Sequence, residues 1–268
     1  MGAGLMASAV PAGAAIDGLV ITPRRLVTSD HSFTTGGPGT GATLRLLQVS
    51  DLHLRAIGSL ERQVLETLHD SHPDVVLFTG DMIDRRTDLW KLETFLRECP
   101  RPPRMFAIVG NWEHWAGIPL EALARIYEQH GIELLVNRSV EFDKDGSRVR
   151  ITGLDDLVGG HPDAAAALAG ASPAPNHLVL AHCPKARDML ALPEQHPADL
   201  VLSGHTHGGQ IAPFGVAVVL PGGSGGYVAG WYREGGPPLY VSRGLGTSLI
   251  PMRIGAAPEL VRMEWSLA

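Results

Sequence analysis

The chain has 268 residues, 44% hydrophobic and 19% charged, enough for one large domain with a sizeable core and an appendage. A formal net charge of −6 argues against nonspecific nucleic-acid binding, which needs a clustered basic field to displace counterions. Cys99 and Cys183 lie far apart and form no C-x-x-C pattern, so neither a disulfide framework nor a thiolate zinc site is indicated.

Residues 2–16, GAGLMASAVPAGAAI, are uncharged, small and apolar, but they are too short for a spanning helix and lack a basic n-region. They fit either a membrane-proximal or signal-remnant segment or a loosely packed arm. TTGGPGTGAT (34–43) reads as a flexible joint, so residues 1–43 are set apart from a domain over 44–268.

From residue 44 the pattern alternates. LRLLQVS (44–50) reads as a strand, and Leu60, Val64, Leu65 and Leu68 then fall at helical spacing. DVVLFTG (74–80) precedes a helix over 88–98, and RMFAIVG (104–110) precedes a helix over 119–130 that Pro119 opens and Gly131 closes. Strands alternating with helices predict parallel βαβ units. Shorter strands follow at 132–136, 139–142 and 148–154, with KDGS (144–147) as a hairpin turn. An Ala-rich helix (163–169), a strand (177–182), a helix (185–191) and a strand (199–204) come next, then strands near 216–220, 239–242 and 259–265. The expectation is an α/β molecule with a mixed second half and two packed sheets flanked by helices.

Each core strand ends in a polar signature: Asp51 and His53 in SDLH, Asp81 and Asp84 in TGDMID, Asn111 in VGNWEH, His182 in LAHCP, and His205 and His207 in LSGHTHGGQ. Side chains at i and i+2 of an extended segment point the same way, and the carboxyl ends of strands in α/β sheets face a common crevice. Three carboxylates, one amide and four imidazoles gathered there would repel and desolvate one another without cations. The donor mix suits Mn, Fe or Zn, and the donors exceed the needs of one tetrahedral ion. Two metals are therefore expected, with Asp81 the natural bridge holding them roughly 3.5–4 Å apart.

D-x-H, G-D-x-x-D, G-N, A-H-C-P and G-H-T-H-G-G-Q together resemble the calcineurin-like metallophosphoesterases over about residues 45–265. The tail LYVSRGLGTSLIPMRIGAAPELVRMEW is similar to a bacterial branch that includes membrane-associated or exported phosphoesterases and UDP-2,3-diacylglucosamine pyrophosphatases. The resemblance implies a four-layer αββα sandwich and two divalent ions, Mn foremost with Fe, Zn or Mg as alternatives. It also implies that Asp51, His53 and His207 hold one ion, that Asp81 bridges, and that Asn111, His182 and His205 hold the other. Asp84 then either supports a histidine or caps a helix. In-line attack by a metal-bridging hydroxide, with no covalent phosphoenzyme, is the implied reaction.

One position departs from this pattern. Family members read G-N-H-[DE], where the histidine assists the phosphoryl group and the leaving oxygen; here Trp112 stands there, and indole has no proton to give. Superfamily pyrophosphatases with arginine at this place show that histidine is not obligatory, and a leaving group of low pKa needs little protonation. His114 is the alternative acid if the loop bulges toward the metals; otherwise it faces solvent or packs between Trp112 and Trp115. The tryptophans either contact substrate or cover the core below. PGGSGGYVAGWY (221–232), with Tyr227, Trp231 and Tyr232, reads as a lid, a membrane-touching edge or a plain hairpin. Arg85, Arg86 and Arg243 are candidates for a second phosphate.

The resulting expectation is a phosphohydrolase acting on a small-molecule phosphodiester or pyrophosphate, lipid- or nucleotide-linked. It would be soluble or at the membrane periphery, cytoplasmic or exported. The rival readings are a non-catalytic metal-binding module and a soluble nucleotide phosphodiesterase.

Overall fold

The computed structural model describes residues 17–36, 41–190, 192 and 194–268. The apolar arm at 2–16 and residues 37–40 of the expected joint lie outside the described residues. Chain order begins with a helical turn, Asp17–Ile21, followed by β1 (Val27–Thr34), β2 (Thr43–Val49), α1 (Ser59–Ser71) and β3 (Val75–Thr79). Next come α2 (Leu89–Glu98), β4 (Arg104–Ile108), α3 (Asn111–Trp115), α4 (Leu120–Gln129) and β5 (Glu133–Leu134). The second half holds β6 (Arg138–Lys144), β7 (Ser147–Gly153), α5 (Ala164–Ala167), β8 (Asn176–Leu180), α6 (Ala186–Met189) and β9 (Leu200–Ser203). Strands β10 (Gly230–Tyr232), β11 (Leu239–Val241) and β12 (Glu259–Ser266) complete it.

Among the described residues the strands form two mixed sheets, ordered β1-β12-β2-β3-β4-β5 and β10-β11-β9-β8-β7-β6. Strands β2 to β5 run parallel, as do β7, β8, β9 and β11; β12 and β1 run antiparallel to the first set, and β10 and β6 flank the second set antiparallel on either side. Parallel strands need cover on both faces, and the alternation supplies it. Leu44, Leu46, Val75 and Leu77 face Ile151, Leu178, Leu180 and Leu202 in the core between the sheets. Leu47, Val49, Val76 and Phe78 point the other way, onto Val64, Leu68, Leu92, Phe95, Leu123 and Tyr127 of α1, α2 and α4. On the outer face of the second sheet, Val179, Val201 and Val241 pack under Ala167 of α5 and Ala186 of α6. The result is the expected helix, sheet, sheet, helix layering.

Some assignments differ from the sequence reading. Residues 27–34 form β1, paired in parallel with the C-terminal strand β12, where no strand was expected. Residues 216–220 form no strand, because their backbone finds no sheet partner beyond one bond from Val218 N to Ile211 O. The two short helices cover 164–167 and 186–189 rather than 163–169 and 185–191. No described helix is long and apolar enough to cross a membrane.

Candidate metal centre

Strands β2, β3 and β4 of one sheet and β8 and β9 of the other all end at the same edge, and their next residues meet there. Asp51, His53 and His207 place one donor atom each within 4.8 Å of one another, and so do Asp81, His182 and His205. All six are buried. Asp81 Oδ2 lies 3.0 Å from His182 Nε2 and 3.8 Å from His53 Nε2, so this carboxylate reaches both groups. Asn111, also buried, has a side-chain oxygen with no hydrogen-bond partner.

The ring nitrogens fit a cation. Nδ1 of His182 donates to the Thr79 carbonyl at 2.8 Å, and Nε2 of His205 donates to the Gly222 carbonyl at 2.6 Å. Their other nitrogens, left as lone pairs, then face each other at 3.3 Å with no proton between them. In the same way Asp84 takes the Nδ1 proton of His53, turning its Nε2 inward to within 3.0 Å of His207 Nε2. Outer partners that fix which nitrogen is free are the usual support of imidazole ligands. An orphaned amide oxygen, converging lone pairs and two buried aspartates make a donor set that a pair of divalent ions would satisfy.

Without cations the cluster holds protons instead. Burial works against a charged ring at His182, yet Asp81, then Asp51, lift it well above its ordinary value; His53 is raised likewise against burial by Asp84 and Asp81. Asp81, although burial raises it, is pulled down to about 2, chiefly by His182. His207 is pushed well below the usual range by burial and by the charges of His53 and Arg253. Metal binding at such a cluster releases protons.

Two supporting side chains have no role in the sequence reading. Glu113, buried in α3, accepts backbone N–H groups from Gly110 and Asp81 at Oε2 (2.8 and 3.0 Å) and from Met82 and Ile83 at Oε1 (2.7 and 3.3 Å). It stands at the acidic position of G-N-H-[DE] and accepts the N–H of Gly110 three residues back, a local signal that could have found it. Arg253, fully buried, donates to the carbonyls of Gly244 and Ala256 and contacts His207 Nδ1 at 3.2 Å. Burial lowers its pKa to about 9.

The other expected site residues separate. Trp112 lines the mouth above the centre, its ring edge-on to His53 at 5.8 Å. His114 does not line it: residues 111–115 form a helical turn rather than a bulge, and this turns the imidazole onto Asp155, at 2.6 Å. Arg85 pairs with Asp88 at 3.0 Å and Arg243 with Glu259 at 3.2 Å, and neither these two nor Arg86 lines the mouth. In 221–232, Tyr227 bonds Asp188, Tyr232 takes the Val228 N–H, and Trp231 packs edge-on to Tyr240, so these aromatics hold the segment down instead of facing the centre; it is a loop leading into β10 and not a hairpin. The mouth is a cavity of about 510 Å³ walled by Trp112, Trp115, Val218, Val219, Leu249 and Ile250.

Comparison with known proteins matches residues 44–209 to the calcineurin-like phosphoesterase family. The chain is 32% identical over 248 residues to the uncharacterized metallophosphoesterase YkuE of Bacillus subtilis, covering 90% of this chain and 85% of that one. It is 29% identical over 224 residues to the metallophosphoesterase YkoQ of the same organism, covering 81% and 82%. A transmembrane protein with metallophosphoesterase domain from Danio rerio is 30% identical over 235 residues, covering 82% of this chain and 52% of its own length. With two candidate metal-ligand clusters at the converging strand ends of two mixed sheets, the chain belongs to the calcineurin-like phosphoesterase family and is a phosphoester hydrolase.

Proposed function

We propose that the protein hydrolyses a phosphodiester or a pyrophosphate bearing an apolar group, at a centre of two divalent ions. Asp51, His53 and His207 hold one ion; Asn111, His182 and His205 hold the other; Asp81 is shared. The observation that carries this reading is the reach of Asp81 Oδ2 into both clusters. Carboxylate oxygens mixed with imidazoles suit Mn, with Fe, Zn or Mg as alternatives. Bound there, two such ions supply hydroxide near neutral pH and neutralise phosphoryl oxygens.

The residues around the centre support the choice of leaving group. The titratable side chains lining the mouth are Asp81, His205 and His207, each already a proposed ligand. Trp112 presents indole where a proton donor would stand, and His114 is turned onto Asp155. A leaving group that departs unprotonated, such as a phosphate or an activated alcohol, fits this arrangement. The apolar walls favour a substrate with an acyl, polyprenyl or aromatic group beside the phosphorus.

Metal analysis followed by hydrolysis of bis-p-nitrophenyl phosphate with added Mn²⁺ tests the centre. Turnover is expected, and Asp81→Ala should lower kcat by at least about 100-fold, as when a main source of transition-state charge stabilisation is removed. Bound metal with no turnover, or an Asp81→Ala rate equal to wild type, overturns the proposal. A panel of nucleotide diesters, nucleotide sugars and lipid pyrophosphates then ranks substrates.

A further inference from the structure

The lip of the mouth is apolar far beyond the needs of a small pocket. Thirteen large apolar residues are exposed among the described ones, and all but Trp90 and Met189 lie on Trp115, Val158 or the segments 17–21, 211–219 and 247–250. These segments are tied together: Gln210 bonds Ser248 and Ile250, Ala212 N donates to Ile254 O, and Arg253 N donates to Gly18 O. Single exposed apolar residues are ordinary, whereas a contiguous patch around a site marks a contact surface.

Two of these residues are held exposed against their own backbone preference. Phe214 sits at the tip of the turn Pro213–Gly215 with φ +56° and is fully exposed. Leu249, on the opposite loop, also has φ +56° and is exposed. Large side chains avoid the left-handed region, and strain of this kind persists where the surroundings impose it, commonly at functional sites. Here it gains no burial.

Charge is arranged to match. Residues 200–232 contain no Asp, Glu, Lys or Arg, and residues 244–258 contain only Arg253, which is fully buried. Across 200–232 and 244–258 the lip therefore offers no carboxylate; in segment 17–21 it carries the exposed Asp17, which accepts from Thr22 Oγ1 at 2.9 Å. At its border by residues 17–21 and 247 stand the exposed Arg24, Arg25 and Arg55, in a chain whose net charge is −6. Apolar residues at the centre, with Arg24 and Arg25 outnumbering the one exposed lip carboxylate, Asp17, at the edge, suit an anionic bilayer surface.

We propose that this lip docks on the surface of an anionic lipid bilayer, with Phe214 and its neighbours at the headgroup boundary and the mouth opening onto the headgroups. Lipid-linked phosphoesters then reach the centre without leaving the membrane. Delivery of a phosphorylated headgroup rests on the phosphohydrolase reading above, whereas docking itself does not.

Co-sedimentation of the full chain with phosphatidylcholine vesicles, with and without phosphatidylglycerol, tests the docking. Binding is expected, stronger with phosphatidylglycerol. Phe214→Asp and Val216→Asp should each weaken it by about tenfold or more, while Phe214→Leu retains it. Both Asp variants should hydrolyse soluble bis-p-nitrophenyl phosphate at the wild-type rate, which shows that they are folded. Absence of binding to either vesicle, or binding that both Asp variants retain, overturns the proposal. So does binding lost on Leu5→Asp but kept in the lip variants, which assigns it to the N-terminal segment. A solution dimer split by Phe214→Asp overturns it in favour of a second copy. Vesicle binding with no turnover on any phosphoester leaves docking standing and sinks the phosphohydrolase reading instead.

Discussion

Glu113 accepts four backbone N–H groups, from Gly110, Asp81, Met82 and Ile83, and so clamps the chain after β3 to the chain after β4. Asp81 and Asn111 leave from those two segments. In Glu113→Gln an amide NH₂ replaces one oxygen and faces N–H donors, so two of the four bonds are lost. Hydrogen bonds to a charged acceptor are worth about 1.5–3 kcal/mol each. We expect the variant to lose roughly 3 kcal/mol, melt about 10 °C lower and bind Mn²⁺ more weakly. Calorimetry and metal titration check this; a wild-type melting point would mean that the carboxyl is neutral and no clamp. His114 differs, since its ring is engaged by Asp155 away from the mouth. Loss of a general acid costs about 100-fold or more; for His114→Ala we expect kcat on bis-p-nitrophenyl phosphate to stay near wild type, while Trp112→His tests whether a donor at 112 accelerates poorer leaving groups. At this scale the positions were legible from the motifs, but their orientation was not: Asp51, His53, Asp81, His205 and His207 all have positive φ beyond the strand ends, and His205 and His207 enter different clusters instead of pointing the same way. Arg253 was not legible, because its acceptors come from Arg243, Gly244, Gly246 and Ala256, whose meeting depends on the tertiary fold.

Strand ends in the centre approach so closely that side chains are excluded. A Cβ on Gly110 would stand 2.2 Å from Asp81 Oδ1 and 2.7 Å from Asp81 N; one on Gly204 would stand 2.0 Å from Ser50 Oγ. The Asp81 backbone is held by Glu113 and cannot retreat. Gly110→Ala should therefore displace Asp81 and lower both Mn²⁺ stoichiometry and turnover while the protein still folds, since both sheets lie behind the contact. Full metal loading in that variant would show that the loops yield. The central βαβ units were legible because each strand is apolar on both faces and each helix repeats at i, i+3 and i+4. β1 was not: VTSDHSFT alternates polar residues as an edge strand does, and its partner β12 lies more than 200 residues away. VAVVL at 216–220 misled in the opposite sense, since its apolar side chains serve the exposed lip rather than a sheet.

The centre joins the two sheets. Asp51, His53, Asp81 and Asn111 follow strands of one, and His182, His205 and His207 follow strands of the other. A cation held by both sides favours the folded state by mass action, about 2.7 kcal/mol at a free ion concentration 100 times Kd. Chelation should therefore lower the melting point of the whole molecule in one transition; an unchanged melting point would mean that the sheets need no such staple. The buried interior adds a separate dependence on pH. His177, on β8, donates from Nδ1 to the Pro197 carbonyl at 3.0 Å, while Nε2 meets the Thr152 hydroxyl at 2.8 Å. Burial, then the nearby Arg150, lower its pKa to about 4 from an ordinary 6.5. A depressed base binds its proton more readily in the unfolded chain, so the folded state keeps this contribution above pH 6.5 and loses it as pH falls toward 4. The full shift corresponds to about 3 kcal/mol. Between pH 7 and pH 4 the chelated wild type should lose about that much stability relative to chelated His177→Gln, since chelation removes the proton release of metal binding from the comparison. Urea unfolding at several pH values reads the difference, and parallel curves for the two proteins would show that His177 carries its proton in both states.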